Sequence, residues 1–296
     1  MKSAFLQIIN KLFPPKIEPN PVIQIDRKMI TSGREKIEDK IFNENITNGD
    51  YHNKLLVRIG AKKKTFNNVD FSHTYFEHCY LKNCIFNSCD FNGCKFINCN
   101  LTGSSFPGSI FDYAIFEKTF IDNDILSNNC PSHDNITQKF ASSLRINFQT
   151  LGDSESVNKA IQIELRAKKN HLYDSWNSNK RYYREKYEGF LRIKMFFSWL
   201  YFKLQEFIWG NGESLWKLIR TGILFLFIMT LIDVYSFNNW QLLPEYYISL
   251  INMPSILLGV SKNSNYSDLY LSLITLFRLI GFGLFMSILI KKFNRR

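Results

Sequence analysis

The stretch "FSHTYFEHCYLKNCIFNSCDFNGCKFINCNL", residues 71–101, carries a cysteine at every fifth position from 79 to 99. Large apolar residues keep the same spacing over a longer range: Phe66, Phe71, Phe76, Leu81, Phe86, Phe91, Phe96, Leu101, Phe106, Phe111, Phe116 and Ile121. Two positions before these, the residues are small: Val69, Thr74, Cys79, Cys84, Cys89, Cys94, Cys99, Ser104, Ser109, Ala114 and Thr119. A period of five fits neither a helix nor a simple strand. It predicts a chain that turns a corner every five residues and points one large and one small side chain inward on each face.

This register resembles that of the pentapeptide-repeat family, whose central residue is Leu or Phe and whose small residue lies two positions earlier. The resemblance covers about residues 62–125 and implies a right-handed, four-sided parallel β-helix. Four five-residue faces per coil give about three coils, stacked at the spacing of paired strands. Phe66, Phe86 and Phe106 should then lie over one another, as should Phe71, Phe91 and Phe111, with residues 1–61 as a partly irregular N-terminal segment.

The cysteines are predicted to be packing residues. Cysteine behaves as a small hydrophobe when buried, and Cys79–Cys99 occupy the position that Val, Thr, Ser and Ala fill elsewhere. A zinc site needs four converging ligands, whereas only Cys79 and Cys99 share a face. His73 and His78 should point outward. No metal site or cofactor is therefore expected, and without a secretory signal the repeat domain is placed in a reducing cytosol.

A helical hairpin, residues 126–178, is predicted to connect the repeats to the rest of the chain. Phe140, Leu144 and Phe148 recur at helical spacing before Gly152, a stop signal, and Asp153 or Ser154 can cap a second helix. The segment "LRINFQTLGDSESVNKA" resembles the connector of bacterial pentapeptide-repeat proteins that carry a channel-like tail. A generic hairpin that covers the open end of the β-helix is an equally compatible interpretation.

Residues 179–213 are predicted to form a basic amphipathic helix in the headgroup layer of a membrane. The apolar side chains Ile193, Phe197, Leu200, Leu204 and Phe207 fall on one side of this helix, and Arg192, Lys203 and Glu206 on the other. Tryptophan, tyrosine and flanking cations are typical of interfacial helices. A helix that binds a protein partner is the alternative.

Residues 214–296 are predicted to contain two transmembrane helices, 218–237 and 269–290. Each is long enough to cross the hydrocarbon core of a lipid bilayer. The 31 residues between them contain one lysine and no arginine, whereas both outer flanks are basic. The positive-inside rule then predicts a multi-pass protein of the bacterial cytoplasmic (inner) membrane with both termini in the cytoplasm.

The apolar stretch "YYISLINMPSILLGVS", residues 246–261, is too short to span and suggests a re-entrant segment. The order span, short helix, span resembles the two-helix potassium-channel-like pore, and "WGNGES" at 209–214 resembles a motif that precedes such tails. The filter-like residues are Pro254, Ser255, Leu258, Gly259, Val260 and Ser261. Ser261 and Lys262 stand where a potassium filter has its second glycine and its aspartate, which argues against potassium selectivity.

Besides Arg220, which can reach the near interface, two charges fall within the predicted spans. Arg278 is costly at membrane depth unless partnered, and Asp233 is a candidate partner, with an interfacial Asp233 that meets water as the alternative. Gly281 and Gly283 are candidate hinge residues, although close packing of helices would explain them equally simply.

The leading hypothesis is a membrane pore related to two-span ion channels, a homo-oligomer (tetrameric by analogy), with the β-helix as a cytoplasmic sensing or assembly domain for a protein or small ligand. The alternatives are a non-conducting scaffold that binds a protein partner, and a membrane-depolarising toxin or phage-defence effector. Nucleic acid is not expected as a partner, because the basic residues that give the net charge of +11 cluster beside the spans and not on the repeats. No catalytic motif is present, so an enzyme is not expected.

Overall fold

The computed structural model describes residues 33–261 and 266–293, and within these ranges the chain forms ten strands followed by eight helices. The strands are Lys36–Glu38 (β1), Ile46–Thr47 (β2), Leu55–Val57 (β3), Gly60–Lys62 (β4), Thr65–Asn67 (β5), Tyr75–Glu77 (β6), Tyr80–Lys82 (β7), Ile85–Asn87 (β8), Lys95–Ile97 (β9) and Ile115–Glu117 (β10). The helices are Ile125–Asn128 (α1), Asp134–Leu151 (α2), Ser154–Asn177 (α3), Arg181–Lys186 (α4), Phe190–Trp209 (α5), Leu215–Phe237 (α6), Leu243–Leu258 (α7) and Asp268–Phe293 (α8).

The strands form a parallel β-solenoid of about four turns. The longest sheet has the order β1-β3-β6-β9-β10, in which Phe96 pairs with Phe76 on one side and with Phe116 on the other. The predicted aromatic columns are confirmed: the ring centroids of Phe66 and Phe86 lie 4.7 Å apart, and those of Phe91 and Phe111 lie 4.8 Å apart, both pairs stacked. These buried rings supply the main driving force for the fold, at about 1.5–3 kcal/mol for each.

The solenoid begins at β1, not near residue 62 as the register suggested. Ile46 already pairs with Phe66 at the twenty-residue offset, but Ile37 pairs with Leu56, so the first turn is one residue shorter. This missing residue, together with the small Ala61 at a central position, hides the first turn from a search for a strict period. The prediction for residues 1–32 concerns a segment outside the described residues.

The five cysteines are free and buried, with exposed fractions of 0–2%. Each also bonds the turn below: the thiol of Cys94 donates to the carbonyl of Phe71 at 2.9 Å, and the hydroxyl of Ser109 likewise donates to Phe86 at 2.8 Å. The small position therefore packs, as predicted, and in addition satisfies backbone carbonyls. Burial raises the pKa of the Cys94 thiol well above its ordinary value, which keeps that thiol protonated.

His73 and His78 lie at solenoid corners with φ of +59° and +55°. They follow the central residue by two positions, where the left-handed conformation recurs along the solenoid. Both histidines therefore lie at corners, in agreement with the prediction that their side chains point outward. Among the described residues, no group of three or more His, Cys, Asp or Glu side chains could hold a metal ion.

Helices α2 and α3 form the predicted hairpin, and α2 covers the last turn of the solenoid. Gly152 ends α2 in the left-handed region at φ +77°, and the Asp153 side chain accepts a hydrogen bond from the Ser156 amide at the start of α3. The buried side chain of Asn147 accepts from the Thr119 amide and donates to the Thr119 carbonyl, both at 2.7 Å. The open strand edge at this end is therefore satisfied by side chains of the hairpin.

Candidate membrane-facing site

Helix α5 has two faces of opposite character. Its polar face packs on α3, where Glu206 pairs with Lys169 at 3.1 Å and the Arg192 side chain donates to the Trp176 carbonyl at 2.7 Å. Its apolar face remains 46–60% exposed at the positions predicted from the sequence: Ile193, Phe197, Leu200, Leu204 and Phe207. The helix therefore contacts the hairpin through charged side chains and leaves its apolar face exposed.

The segment "WGNGES" forms a tight turn between α5 and α6. Gly210, Asn211 and Gly212 are consecutive left-handed residues, at φ of +64°, +57° and +83°. A Cβ on Gly210 would approach the Ser214 Cβ to 2.9 Å, and Ser214 caps α6 by accepting from the Lys217 amide. The Glu213 carboxylate forms an ion pair with Lys291 near the end of α8. This motif thus fixes the start of α6 against the end of α8.

Helices α6 and α8 are long and apolar enough to cross a membrane, by length and composition. Only 22% of the most apolar window of α6 and 11% of that of α8 are buried within the protein. The core helix of a soluble domain would bury most of such a window. The predicted spans, 218–237 and 269–290, lie inside these two helices.

Asp233 is buried near the end of α6, with 3% of its surface exposed. Its carboxylate accepts hydrogen bonds from the Ser249 hydroxyl at 2.6 Å, the Asn238 amide at 3.1 Å and the Tyr266 hydroxyl. The structure thus corrects both interpretations of Asp233, which neither pairs with Arg278 nor meets water. Three neutral donors from α7 and the flanking segments hold this carboxylate, and sequence spacing alone gave no signal for Ser249 and Tyr266, which are distant from Asp233 along the chain.

Helix α7 packs against α6 and ends at Gly259. Gly259 is left-handed at φ +78°, its amide donates to Ile256, and the Val260 amide donates to Ser255. A methyl group on Gly259 would overlap the guanidinium of Arg278. The Arg278 guanidinium therefore lies against the C-terminal end of α7, where the helix dipole is negative.

Arg278 lies ten residues after Asp268, the first residue of α8. At the helical rise this distance is about 15 Å, which is half the thickness of a bilayer core. Among the described residues, no carboxylate forms an ion pair with Arg278. Its charge thus has the end of α7 as its neighbour.

The remaining filter-like residues surround this helix end. Pro254 and Ser255 belong to the last turns of α7, and the Ser255 and Ser261 hydroxyls lie 2.8 Å apart. Leu258 and Val260 are 70% and 81% exposed. The stretch 255–261 is thus a capped helix end, not an extended row of carbonyls, and Lys262 lies outside the described residues.

Gly281 and Gly283 lie within the continuous helix α8. No atom lies within 4 Å of a Cβ built at either position, so neither glycine serves close packing inside this chain. Their role as hinges stays a prediction.

The residues around His171 form a second polar cluster, in the part of the chain that precedes α5. The Tyr187 hydroxyl lies 3.3 Å from one ring nitrogen of His171, and the Tyr183 hydroxyl lies 3.5 Å from the other. Burial, with the nearby Lys186 charge, lowers the pKa of His171, and burial raises the pKa of Tyr183 to about 12. Both groups are therefore neutral near pH 7.

Comparison with known proteins bears on the solenoid. The family of pentapeptide repeats matches with eight copies, over residues 66–103 and 89–128. Residues 66–128 are thus a pentapeptide-repeat domain with the β-solenoid fold. No curated protein matches the chain.

Solved structures that resemble part of the chain include proteins described as pentapeptide-repeat proteins. Rfr23 from the cyanobacterium Cyanothece 51142 is 14% identical, over 29% of this chain and 69% of that one, with a TM-score of 0.25. HetL from Nostoc sp. strain PCC 7120, involved in the regulation of heterocyst differentiation, is 15% identical, over 31% and 45%, with a TM-score of 0.16. QnrB1, a plasmid-mediated fluoroquinolone resistance protein, is 17% identical, over 29% and 53%, with a TM-score of 0.16.

Proposed function

We propose that this chain is an ion-channel-like pore protein of the cytoplasmic membrane, in which α6 and α8 span the bilayer and α7 is a re-entrant helix. The observation that carries this proposal is the contact of Gly259 with Arg278, which lies ten residues after the start of α8 and would reach about half the depth of the hydrocarbon core. Helix α7 begins close to the end of α6 along the chain, and the chain after α7 leads to Asp268 at the start of α8. Both ends of the re-entrant segment would therefore lie on the same side of the membrane.

The exposed apolar surface supports a homo-oligomer. The two spans leave most of their side chains uncovered within one copy, and a pore needs further copies to enclose its path. We propose a tetramer by analogy with two-span channels. The solenoid and its hairpin would lie in the cytoplasm, where α5 rests its apolar face on the headgroup layer and the solenoid senses a partner or aids assembly.

Ion flux from liposomes tests the proposal. The full chain is reconstituted, and release of entrapped ions is compared with that of Val260→Trp and Leu243→Trp. Both positions are more than 80% exposed, one at the end of α7 and the other at its start. We expect flux from the wild type, at least a fivefold loss in Val260→Trp, and little change in Leu243→Trp. Absence of flux for every ion, with correct insertion, would refute a conducting function.

A non-conducting scaffold is a second candidate, and the capped end of α7 favours it. The backbone amides of 259–261 bond within the chain to Ile256 and Ser255, so residues 255–261 offer no row of carbonyls for a dehydrated cation. In that case the spans would anchor the solenoid, and a cytoplasmic partner would bind the repeats. Flux-silent protein that retains a specific partner in pull-down experiments would favour the scaffold.

A further inference from the structure

The most unusual feature of the span region is an arginine side chain that lies against the C-terminal end of α7. The guanidinium of Arg278 lies against Gly259, so close that a methyl group added to the glycine would displace it. The negative end of a helix dipole stabilises a cation, and here the chain's own arginine fills that role.

Arg278 carries a fixed positive charge, because a guanidinium group is not deprotonated in proteins. The acidic side chain of the span region, Asp233, is engaged by the neutral donors Ser249, Tyr266 and Asn238. It therefore leaves the charge of Arg278 uncompensated. Among the described residues, no other carboxylate pairs with it.

We propose that Arg278 makes this pore a path for small inorganic anions and a barrier to cations, an inference that rests on the pore function proposed above. A ring of arginines at a constriction attracts anions and repels cations, and selectivity of this kind needs no row of backbone carbonyls. The capped end of α7, which is unsuited to dehydrate a potassium ion, is compatible with an anion that keeps part of its water. Leu258 and Val260, exposed on either side of Gly259, would form the apolar wall of the same constriction.

Reversal potentials across planar bilayers test this inference. The full chain is inserted and measured under a tenfold potassium chloride gradient, with Arg278→Gln, Arg278→Lys and Arg220→Gln beside the wild type. Arg220 is the matched control, since it removes an arginine from the same domain at the other end of α6, where its side chain donates to the Phe207 carbonyl. Size-exclusion profiles in detergent check that all variants remain folded.

We expect the wild type and Arg278→Lys to reverse close to the chloride potential, and Arg220→Gln to behave like the wild type. Arg278→Gln should lower the ratio of chloride to potassium permeability at least tenfold. A conducting wild type that prefers potassium, or an Arg278→Gln variant with an unchanged ratio, overturns the inference and leaves the pore function intact. Absence of conductance in the wild type and in all variants overturns the pore function itself and the inference with it.

Gly259→Ala gives a second measurement that leaves the arginine in the sequence. The added methyl group would displace the guanidinium, so we expect this variant to move the permeability ratio in the same direction as Arg278→Gln. Gly281→Ala is its matched control, because its methyl group would meet no atom within 4 Å. Equal ratios in these two alanine variants would contradict the assignment of selectivity to the contact of Arg278 with the end of α7.

Discussion

Replacing Asn147 should open the end of the solenoid that the hairpin covers. The Asn147 side chain is 1% exposed and satisfies both the amide and the carbonyl of Thr119 at 2.7 Å. In Asn147→Ala these two buried backbone groups lose their partners, at a cost of about 1–3 kcal/mol for each group. Allowing for some entry of water, the loss should total about 2–4 kcal/mol.

The cysteine column supplies the assay. The Cys99 amide donates to the Thr119 hydroxyl oxygen at 3.3 Å, and Cys99 is 1% exposed, so its thiol becomes accessible only when the last turn detaches. Labelling by a thiol reagent, followed by peptide mass spectrometry, then measures local opening. Since 1.4 kcal/mol corresponds to a factor of ten, Asn147→Ala should label Cys99 about 30- to 1000-fold faster than the wild type.

Two further variants sharpen this experiment. Asn147→Asp replaces the amide donor with an oxygen that faces the Thr119 carbonyl, so it should be at least as harmful as the alanine variant. Gln149→Ala removes an exposed amide from the same helix and should leave labelling within threefold of the wild type. If Cys99 labels in Asn147→Ala at nearly the wild-type rate, the hairpin does not stabilise the solenoid end and the reasoning is refuted.

Three other perturbations test the solenoid, the spans and the soluble helices. Phe91→Ala removes a ring stacked on both Phe71 and Phe111. It should lower the free energy of unfolding by about 3–5 kcal/mol in chemical denaturation of the detergent-solubilised protein, whereas Tyr113→Ala, at an exposed position, should lower it little. A small loss in Phe91→Ala would contradict a tightly packed column. Asp233→Leu leaves the Ser249, Tyr266 and Asn238 donors without their acceptor and should lower the melting temperature in detergent far more than Asp233→Asn does, an order whose reversal would count against the hydrogen-bonded carboxylate. The folded state lowers the pKa of His171. The contribution of His171 to the free energy of unfolding should therefore be fully present above about pH 6.5, the pKa of an unfolded histidine. This contribution should be lost as the pH falls through the lower pKa of the folded state. His171→Gln should show a flatter profile between about pH 8 and pH 5.5, and equal slopes in the two proteins would refute this assignment.

The solenoid could be predicted from the sequence because its register is local and strictly repeated. The columns at Phe66 and Phe71 follow from a twenty-residue offset alone, and the buried cysteines follow from their position in it. The first turn was missed for a physical reason: the offset between Ile37 and Leu56 is one residue shorter. A strict period cannot detect such a slip, although the strand pairing tolerates it.

The contacts of the span region could not be predicted in this way. The sequence identified Asp233 and Arg278 as intramembrane charges, and electrostatics made them natural partners. In the structure these two residues do not pair. Ser249 and Tyr266 donate hydrogen bonds to the Asp233 carboxylate, and the Arg278 guanidinium occupies the space beside Gly259. Hydropathy reports which segments avoid water, whereas the pairing of polar groups depends on the rotation and depth of each helix, and those are fixed by packing.

Helix α5 is the element through which the solenoid domain can influence the spans. On one side it is fixed to α3 by the pair Lys169–Glu206 and by the contact of Trp176 with Phe196, whose rings lie 5.0 Å apart. On the other side the Arg220 and Thr221 side chains of α6 donate to carbonyls in its last turn. A helix that is attached to two elements can pass a displacement of one on to the other. Since α2 closes the solenoid and packs on α3, a ligand that shifted this hairpin would also move α5, and α6 would have to follow.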